Sequence, residues 1–261
     1  MHPVLLHFGQ IRIYTYGVMI AVGGLFSALF WRRRWAKMGL ASEEDLWLLI
    51  NVLIVSGFVG GRLLDQFEDV GIHNPNFWKA AFSISQGFAV MGAFCAVIAA
   101  AYGFSRWKKI SFLRLTDYLC LAAPFWQFFG RWGCFAAGCC FGLPMERPWP
   151  WGVTFTNPLA QVNPLFMGRL IHPTQLYEAF GDLAIGLALY FLVIDRIEKE
   201  ELPRGMVCVI YLASYAVLRF MIEFYRGDVT TLPIGLTAAQ AFCLGLLALS
   251  GGIFAFIRRK P

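Results

Sequence analysis

Seven stretches of the chain, 13–31, 46–66, 80–104, 115–135, 174–194, 206–224 and 236–257, are apolar over about the twenty residues a helix needs to cross a bilayer. No other feature restricts the fold as much. In hydrocarbon every backbone N–H and C=O needs a partner, so a spanning segment must be a helix or a strand of a closed barrel. The apolar-polar alternation of barrel strands is missing. The expected fold class is therefore all-α, a polytopic membrane protein with about seven transmembrane helices. Composition agrees: 58% of the 261 residues are hydrophobic and 15% are charged, too little charge for a water-soluble surface of this size.

The basic residues give the orientation. The first run ends in Arg32-Arg33-Arg34, with no basic region before it and no small-residue cleavage site, so it is expected to be a retained span. One set of alternate loops carries Arg32, Arg33, Arg34, Lys37, Arg106, Lys108, Lys109, Arg114, Arg196, Lys199, Arg204, Arg258, Arg259 and Lys260. These are 14 of the 22 basic residues, which marks that side as cytoplasmic, with the N-terminus outside and the C-terminus inside. The net charge of +6 thus sits in clusters beside spans, and no nucleic-acid partner is expected. The other side receives 66–79 and 142–173. The latter contains Leu143-Pro144-Met145-Glu146-Arg147-Pro148-Trp149-Pro150-Trp151, whose prolines oppose helix and whose tryptophans favour the headgroup level. The expectation is one integral membrane domain, 1–261, with 142–173 as a small cap on its outer face.

Outside the cytoplasmic clusters, Arg12, Lys79, Arg147 and Arg169 read as solvated loop charges, whereas Arg62, Arg131, Arg219 and Arg226 lie near the outer ends of predicted spans two, four and six. A cation at membrane depth costs a few kcal/mol, so it marks a ligand or a partner. The guanidinium is planar, keeps its charge when desolvated and donates two parallel hydrogen bonds to phosphate. An anion site within the bundle is one reading. The other is internal pairing, Arg62 with Asp65 and Arg219 with Glu223 at i,i+4. No acid lies within one helical turn of Arg131.

The residues around these arginines are equally specific. Arg131 lies in Gly130-Arg131-Trp132-Gly133-Cys134-Phe135-Ala136-Ala137-Gly138-Cys139-Cys140-Phe141-Gly142, where glycines admit a close backbone approach. Tyr215, Arg219, Glu223 and Arg226 form one stripe of a helix that must face the bundle interior or a wet cavity. Tyr16 stands at the outer end of span one, beside Tyr14, with an aromatic-belt role as its alternative. His172-Pro173-Thr174-Gln175-Leu176-Tyr177-Glu178 opens span five, putting Gln175 and Glu178 at the same level. His172 is the histidine to consider for acid–base work, and solvation in a loop is the simpler reading. The seven cysteines are odd in number and scattered, which is no disulfide framework. Cys134, Cys139 and Cys140 are not expected to bind metal: adjacent cysteines on a helix point apart, and no Cys-x-x-Cys or histidine completes a set.

Together these motifs resemble the bacterial prolipoprotein diacylglyceryl transferase family. The resemblance runs through Tyr16-Gly17, Gly60-Gly61-Arg62, Asp117, Gly130 to Gly142, His172 to Glu178, and Tyr215-x-x-x-Arg219-x-x-x-Glu223-Phe224-x-Arg226. It implies a seven-span enzyme of the bacterial inner membrane. The diacylglyceryl group of phosphatidylglycerol would pass to the lipobox cysteine thiol of a prelipoprotein signal peptide, forming a thioether and releasing glycerol phosphate. No cofactor is implied; the partners are those two substrates and the membrane lipids. The resemblance assigns Arg131, Arg219 and Tyr16 to catalysis. It assigns Arg62, Gly133, Cys134, Gly142, Gln175, Tyr215, Glu223 and Arg226 to substrate binding. One departure stands out: Met91 occupies the place of a histidine proposed as the family's base. A methionine takes no proton, so the base is His172, Glu223 or Tyr16, or the thiol ionises unaided among the cations. The alternative is a relative that binds phospholipid without transfer.

Overall fold

The computed structural model describes residues 2–9, 11–69, 77–78 and 87–259. A hairpin of β1 (Val4–Phe8) and β2 (Ile11–Tyr14) leads into α1 (Thr15–Arg32). After it come α2 (Trp35–Met38), α3 (Glu43–Asp69), α4 (Val90–Trp107) and α5 (Phe112–Ala137). Short strands β3 (Val153–Thr154) and β4 (Leu170–Ile171) pair antiparallel across a loop. Next, α6 (Thr174–Ala188) runs through a π-helical turn, Leu189–Val193, into α7 (Ile194–Glu198). The chain ends with α8 (Met206–Glu223) and α9 (Ala238–Arg258).

Among the described residues six helices are long and apolar enough to span a membrane: α1, α3, α4, the α6–α7 run Thr174–Glu198, α8 and α9. Their outward residues are apolar, with Val90 74% and Phe191 68% exposed, whereas Gln66 and Asp182 are wholly buried. A water-soluble protein would reverse that placement, and the protein is a multi-pass membrane protein.

Several predicted boundaries shift. Ile13 and Tyr14 pair with Leu6 and Val4 in the hairpin, so the first helix starts at Thr15. In the third predicted segment α4 begins at Val90 after non-helical 87–89, and residues 80–86 lie outside the described residues. Ala89 is extended because its N–H bonds to the Gly61 carbonyl at 3.0 Å and not to a helical turn of its own. The fourth predicted segment lies inside α5, which is long enough at 26 residues. Its Arg114, Asp117, Gln127 and Arg131 leave it too polar to join the six.

The chain divides into two compact units, Trp31–Thr116 and the combination of Met1–Phe30 with Asp117–Pro261. In the first, α3 and α4 meet along a seam of small residues. A Cβ on Gly60 would strike the Gly92 carbonyl and the Ala96 side chain, so this close approach requires glycine. Arg62 is buried, donates to the Gly87 carbonyl and lies 3.5 Å from Asp65. Of the predicted cytoplasmic clusters, Lys108 pairs with Asp45 and Arg32 with Glu43, both at 2.6 Å.

The second unit holds α6 to α9, the loop with β3 and β4, and the larger part of α5. Asp117 is buried and accepts from the backbone N–H groups of Gly205 at 2.6 Å and Val207 at 3.0 Å. A carboxylate from a distant helix therefore caps the start of α8, where side-chain caps of its own are missing. The segment 142–173 is built around its own apolar cluster, in which Phe141, Phe155, Ala160, Val162 and Ile171 are buried. Trp149 and Trp151 stack outside it with ring centroids 4.9 Å apart, each half exposed.

Candidate active site

Arg131 occupies the second-last turn of α5 and Cys134 the last. Gly133 lets α1 approach there: a Cβ on it would stand 3.1 Å from both Cα and Cδ2 of Tyr16. The helix then stops because Gly138 takes a left-handed conformation, with φ of 78°. Cys140 is also left-handed, with φ of 55°, which a non-glycine residue adopts only under constraint.

The constraint comes from the start of α6. Gln175 is buried and its Nε2 donates to the Cys139 carbonyl at 2.7 Å. Thr174 Oγ1 donates to the Cys140 carbonyl at 2.8 Å. Beyond them Gly142 forms a bridge with Arg226, flanked by Leu143 N–H to Tyr225 O and Gly227 N–H to Phe141 O, at 2.8 and 2.9 Å. A Cβ on Gly142 would lie 2.7 Å from His172 Cβ and 2.9 Å from the Tyr225 carbonyl, so only glycine fits. Three sequence motifs that are far apart in the chain are knotted together by these backbone contacts.

Within the knot runs an alternating chain of charges. Arg131 donates to Glu178 Oε1, and Arg219 Nε lies 3.9 Å from the same oxygen. Arg219 Nη1 donates to Glu223 Oε2, and Arg226 Nε is 3.8 Å from that oxygen. Arg226 closes the series with a two-pronged contact to Asp228, at 2.9 and 2.7 Å. Thr237, which caps α9, donates its hydroxyl to Glu223 Oε1 at 2.7 Å. Glu178 and Glu223 are buried, while the side chains of Arg131 and Arg219 keep 19% and 13% of their surface exposed. The cations are therefore the members an anion can reach. A buried carboxylate left without its cation costs about 3–5 kcal/mol, so each glutamate fixes the guanidinium it holds.

The structure thus brings Arg131, Arg219, Glu223, Arg226, Gly142 and Gln175 into one network, with Gly133 and Cys134 on the turn after Arg131 and Tyr16 against Gly133. Tyr215, one turn before Arg219, stacks on Tyr211 with centroids 6.1 Å apart. Arg62 belongs to the other unit, where the pairing with Asp65 that was the alternative to an anion site is found. The Arg219–Glu223 pair, the alternative reading for that arginine, is present too. Sequence reasoning missed the partner of Arg131, because Glu178 is 47 residues away, and it missed Thr237 and Asp228 altogether. The signal for Glu178 was its place at the level of the arginines. Met91, in α4, is 44% exposed. His172 lies in the loop before α6, with Nδ1 3.1 Å from Tyr177 Oη and its ring 5.2 Å from that of Tyr225. Partial burial lowers its pKa, which keeps it neutral at neutral pH.

The comparisons with known proteins cover nearly the whole chain. The sequence model of the family described as prolipoprotein diacylglyceryl transferase matches residues 3–257. A phosphatidylglycerol–prolipoprotein diacylglyceryl transferase of Clostridium tetani is 34% identical over 259 residues, 98% of this chain and 97% of the relative. The protein of the same name from Idiomarina loihiensis is 33% identical over 270 residues, covering 99% and 93%. One from Nostoc is 29% identical over 269 residues, covering 99% and 91%.

Proposed function

We propose, from the premise that this chain belongs to the prolipoprotein diacylglyceryl transferase family, that it moves the diacylglyceryl group of phosphatidylglycerol onto a prelipoprotein cysteine thiol. The names of its relatives supply the two substrates, and the lipobox as the site of the cysteine follows from the family resemblance. The observation that carries the mechanism is the charge chain from Arg131 through Glu178, Arg219 and Glu223 to Arg226.

In this reaction the cysteine sulfur attacks the glyceryl carbon that bears the phosphate oxygen. A C–S bond forms and the C–O bond breaks, and glycerol phosphate leaves with the electron pair. The thiol proton passes to water, and the phosphate goes from one negative charge to two, which balances the step. Two guanidiniums held in place by buried glutamates stabilise that growing charge with no reorganisation at the moment of reaction. Arg131 and Arg219 are assigned this task, since they are the partly exposed cations of the series. Their field also favours the thiolate over the thiol, which has an ordinary pKa of about 8.5. Glu223 and Arg226 position Arg219, and Gln175 and Gly142 hold the segment that follows Arg131. Tyr16 and Tyr215 are assigned to orienting the headgroup or the acceptor. For Arg62 the family resemblance alone supports a part in binding.

The enzyme is assigned to the bacterial inner membrane with its N-terminus outside and its C-terminus cytoplasmic, on the distribution of its basic residues. The network and the 142–173 cap are then on the outer side. The test is purified protein with phosphatidylglycerol vesicles and a lipobox peptide. The expected product is the peptide heavier by one diacylglyceryl group, and none from the peptide with serine in place of cysteine. An unchanged cysteine peptide under conditions where the C. tetani relative is active would overturn the assignment.

A further inference from the structure

The expectation that Cys134, Cys139 and Cys140 cannot share a ligand assumed that Cys139 and Cys140 continue a helix. They do not. The helix ends at Ala137, Gly138 turns left-handed, and the two cysteines fold back towards the last turn. The three Sγ atoms lie within 4.8 Å of one another. Cys134 is buried and the other two are partly so, and none of the three is in a disulfide.

We propose that Cys134, Cys139 and Cys140 form a three-thiolate site for one thiophilic divalent cation of the zinc class. A zinc–thiolate bond of about 2.3 Å in tetrahedral geometry puts neighbouring sulfurs about 3.8 Å apart. The observed triangle therefore needs a contraction of at most about 1 Å, which small χ1 rotations supply. The support behind the ligands is already built. Gln175 and Thr174 hold the carbonyls of Cys139 and Cys140, and Cys140 keeps a conformation that only such support maintains. Arg131, one turn from Cys134, adds a positive field that favours thiolates. Three thiolates leave the ion a fourth position for water or another thiol. Such an ion fastens the end of the arginine-bearing helix to the segment that follows it. This binding site does not depend on the transferase reading, and its test does not use transfer activity.

The test uses the full-length reduced protein in detergent, equilibrated with zinc chloride and freed of excess ion. The expected result is about one zinc per chain, read by elemental analysis. Alkylation of the folded protein, mapped by mass spectrometry, should slow at Cys134, Cys139 and Cys140 when zinc occupies their thiolates, and stay unchanged at exposed Cys95. Cys139→Ser and Cys140→Ser should each weaken binding by more than the ~10- to 100-fold that loss of an outer-shell partner costs, and Cys95→Ser should not. The alkylation map of the unsubstituted protein decides the matter even if a variant folds poorly. Zinc well below one per chain, equal alkylation with and without it, or a disulfide among the three in the isolated protein would each overturn the proposal.

Discussion

Arg131 and Glu178 come from different helices, α5 and α6, and meet in a direct hydrogen bond between guanidinium and carboxylate. Because Glu178 Oε1 also lies 3.9 Å from Arg219, one buried oxygen sets the spacing of two cations. The separation of the two guanidiniums is thus decided by a residue that an incoming anion need not touch.

Removing either cation should stop the chemistry without removing the protein. Arg131→Ala and Arg219→Ala are each expected to lower diacylglyceryl transfer by at least about 100- to 1,000-fold, the scale seen when one donor to a developing anion is lost. Membrane accumulation, followed by immunoblot, should persist. Transfer at the unsubstituted rate in either variant would refute the phosphate-clamp assignment.

Glu178→Ala should cost both stability and activity, since it strips two arginines of a buried partner. A loss of about 3–5 kcal/mol is expected, seen as a lower unfolding temperature in detergent. Glu178→Gln keeps a hydrogen-bond acceptor and should be milder in stability. If Glu178→Ala melts like the unsubstituted protein, the carboxylate does not organise the network.

A single methyl group at Gly142 should be poorly tolerated. Gly142→Ala places a Cβ 2.7 Å from His172 Cβ and 2.9 Å from the Tyr225 carbonyl. Overpacking of this kind costs about 1–3 kcal/mol, and it also displaces the strand bridge to Arg226. Gly245→Ala, where nothing lies within 4 Å of the added atom, is the control and should melt normally. Equal melting temperatures for the two variants would contradict the packing described.

His172 should titrate below the ordinary histidine value of about 6.5, because burial opposes its charged form. Its folded pKa is lower than its unfolded one. It therefore contributes stability that is present above about pH 6.5 and is lost as pH falls through the folded pKa. Ring-proton NMR of labelled histidine should show the low pKa, and His172→Gln should flatten the acid limb of thermal stability. A pKa at or above that of free histidine would refute it.

Much of this arrangement was legible in the sequence, for physical reasons. Hydrocarbon admits few charges, so Arg131, Arg219 and Arg226 stood out from their neighbours. Helical spacing alone gave the Arg219–Glu223 pair, and it allowed the Arg62–Asp65 pair. What escaped were contacts fixed by tertiary approach. Glu178 reaches Arg131 only because α5 and α6 lie side by side. Asp117 read as a family landmark, whereas its carboxylate caps α8 across 88 residues of chain. Cys139 and Cys140 leave the helix at the left-handed turn of Gly138, which residue spacing alone does not show.

Thr237 caps α9 with the same hydroxyl that it gives to Glu223. Every other member of the charge series precedes it in the chain, so it is the last to leave the ribosome. Until α9 has entered the membrane, Glu223 lacks its hydroxyl partner and the series is incomplete. A chain cut short before α9 carries Arg131, Arg219 and Arg226 but leaves Glu223 Oε1 without that donor. The cap of the last helix and the outermost glutamate of the series are thus secured by one hydroxyl, so the folding of α9 and the fixing of Glu223 are a single event.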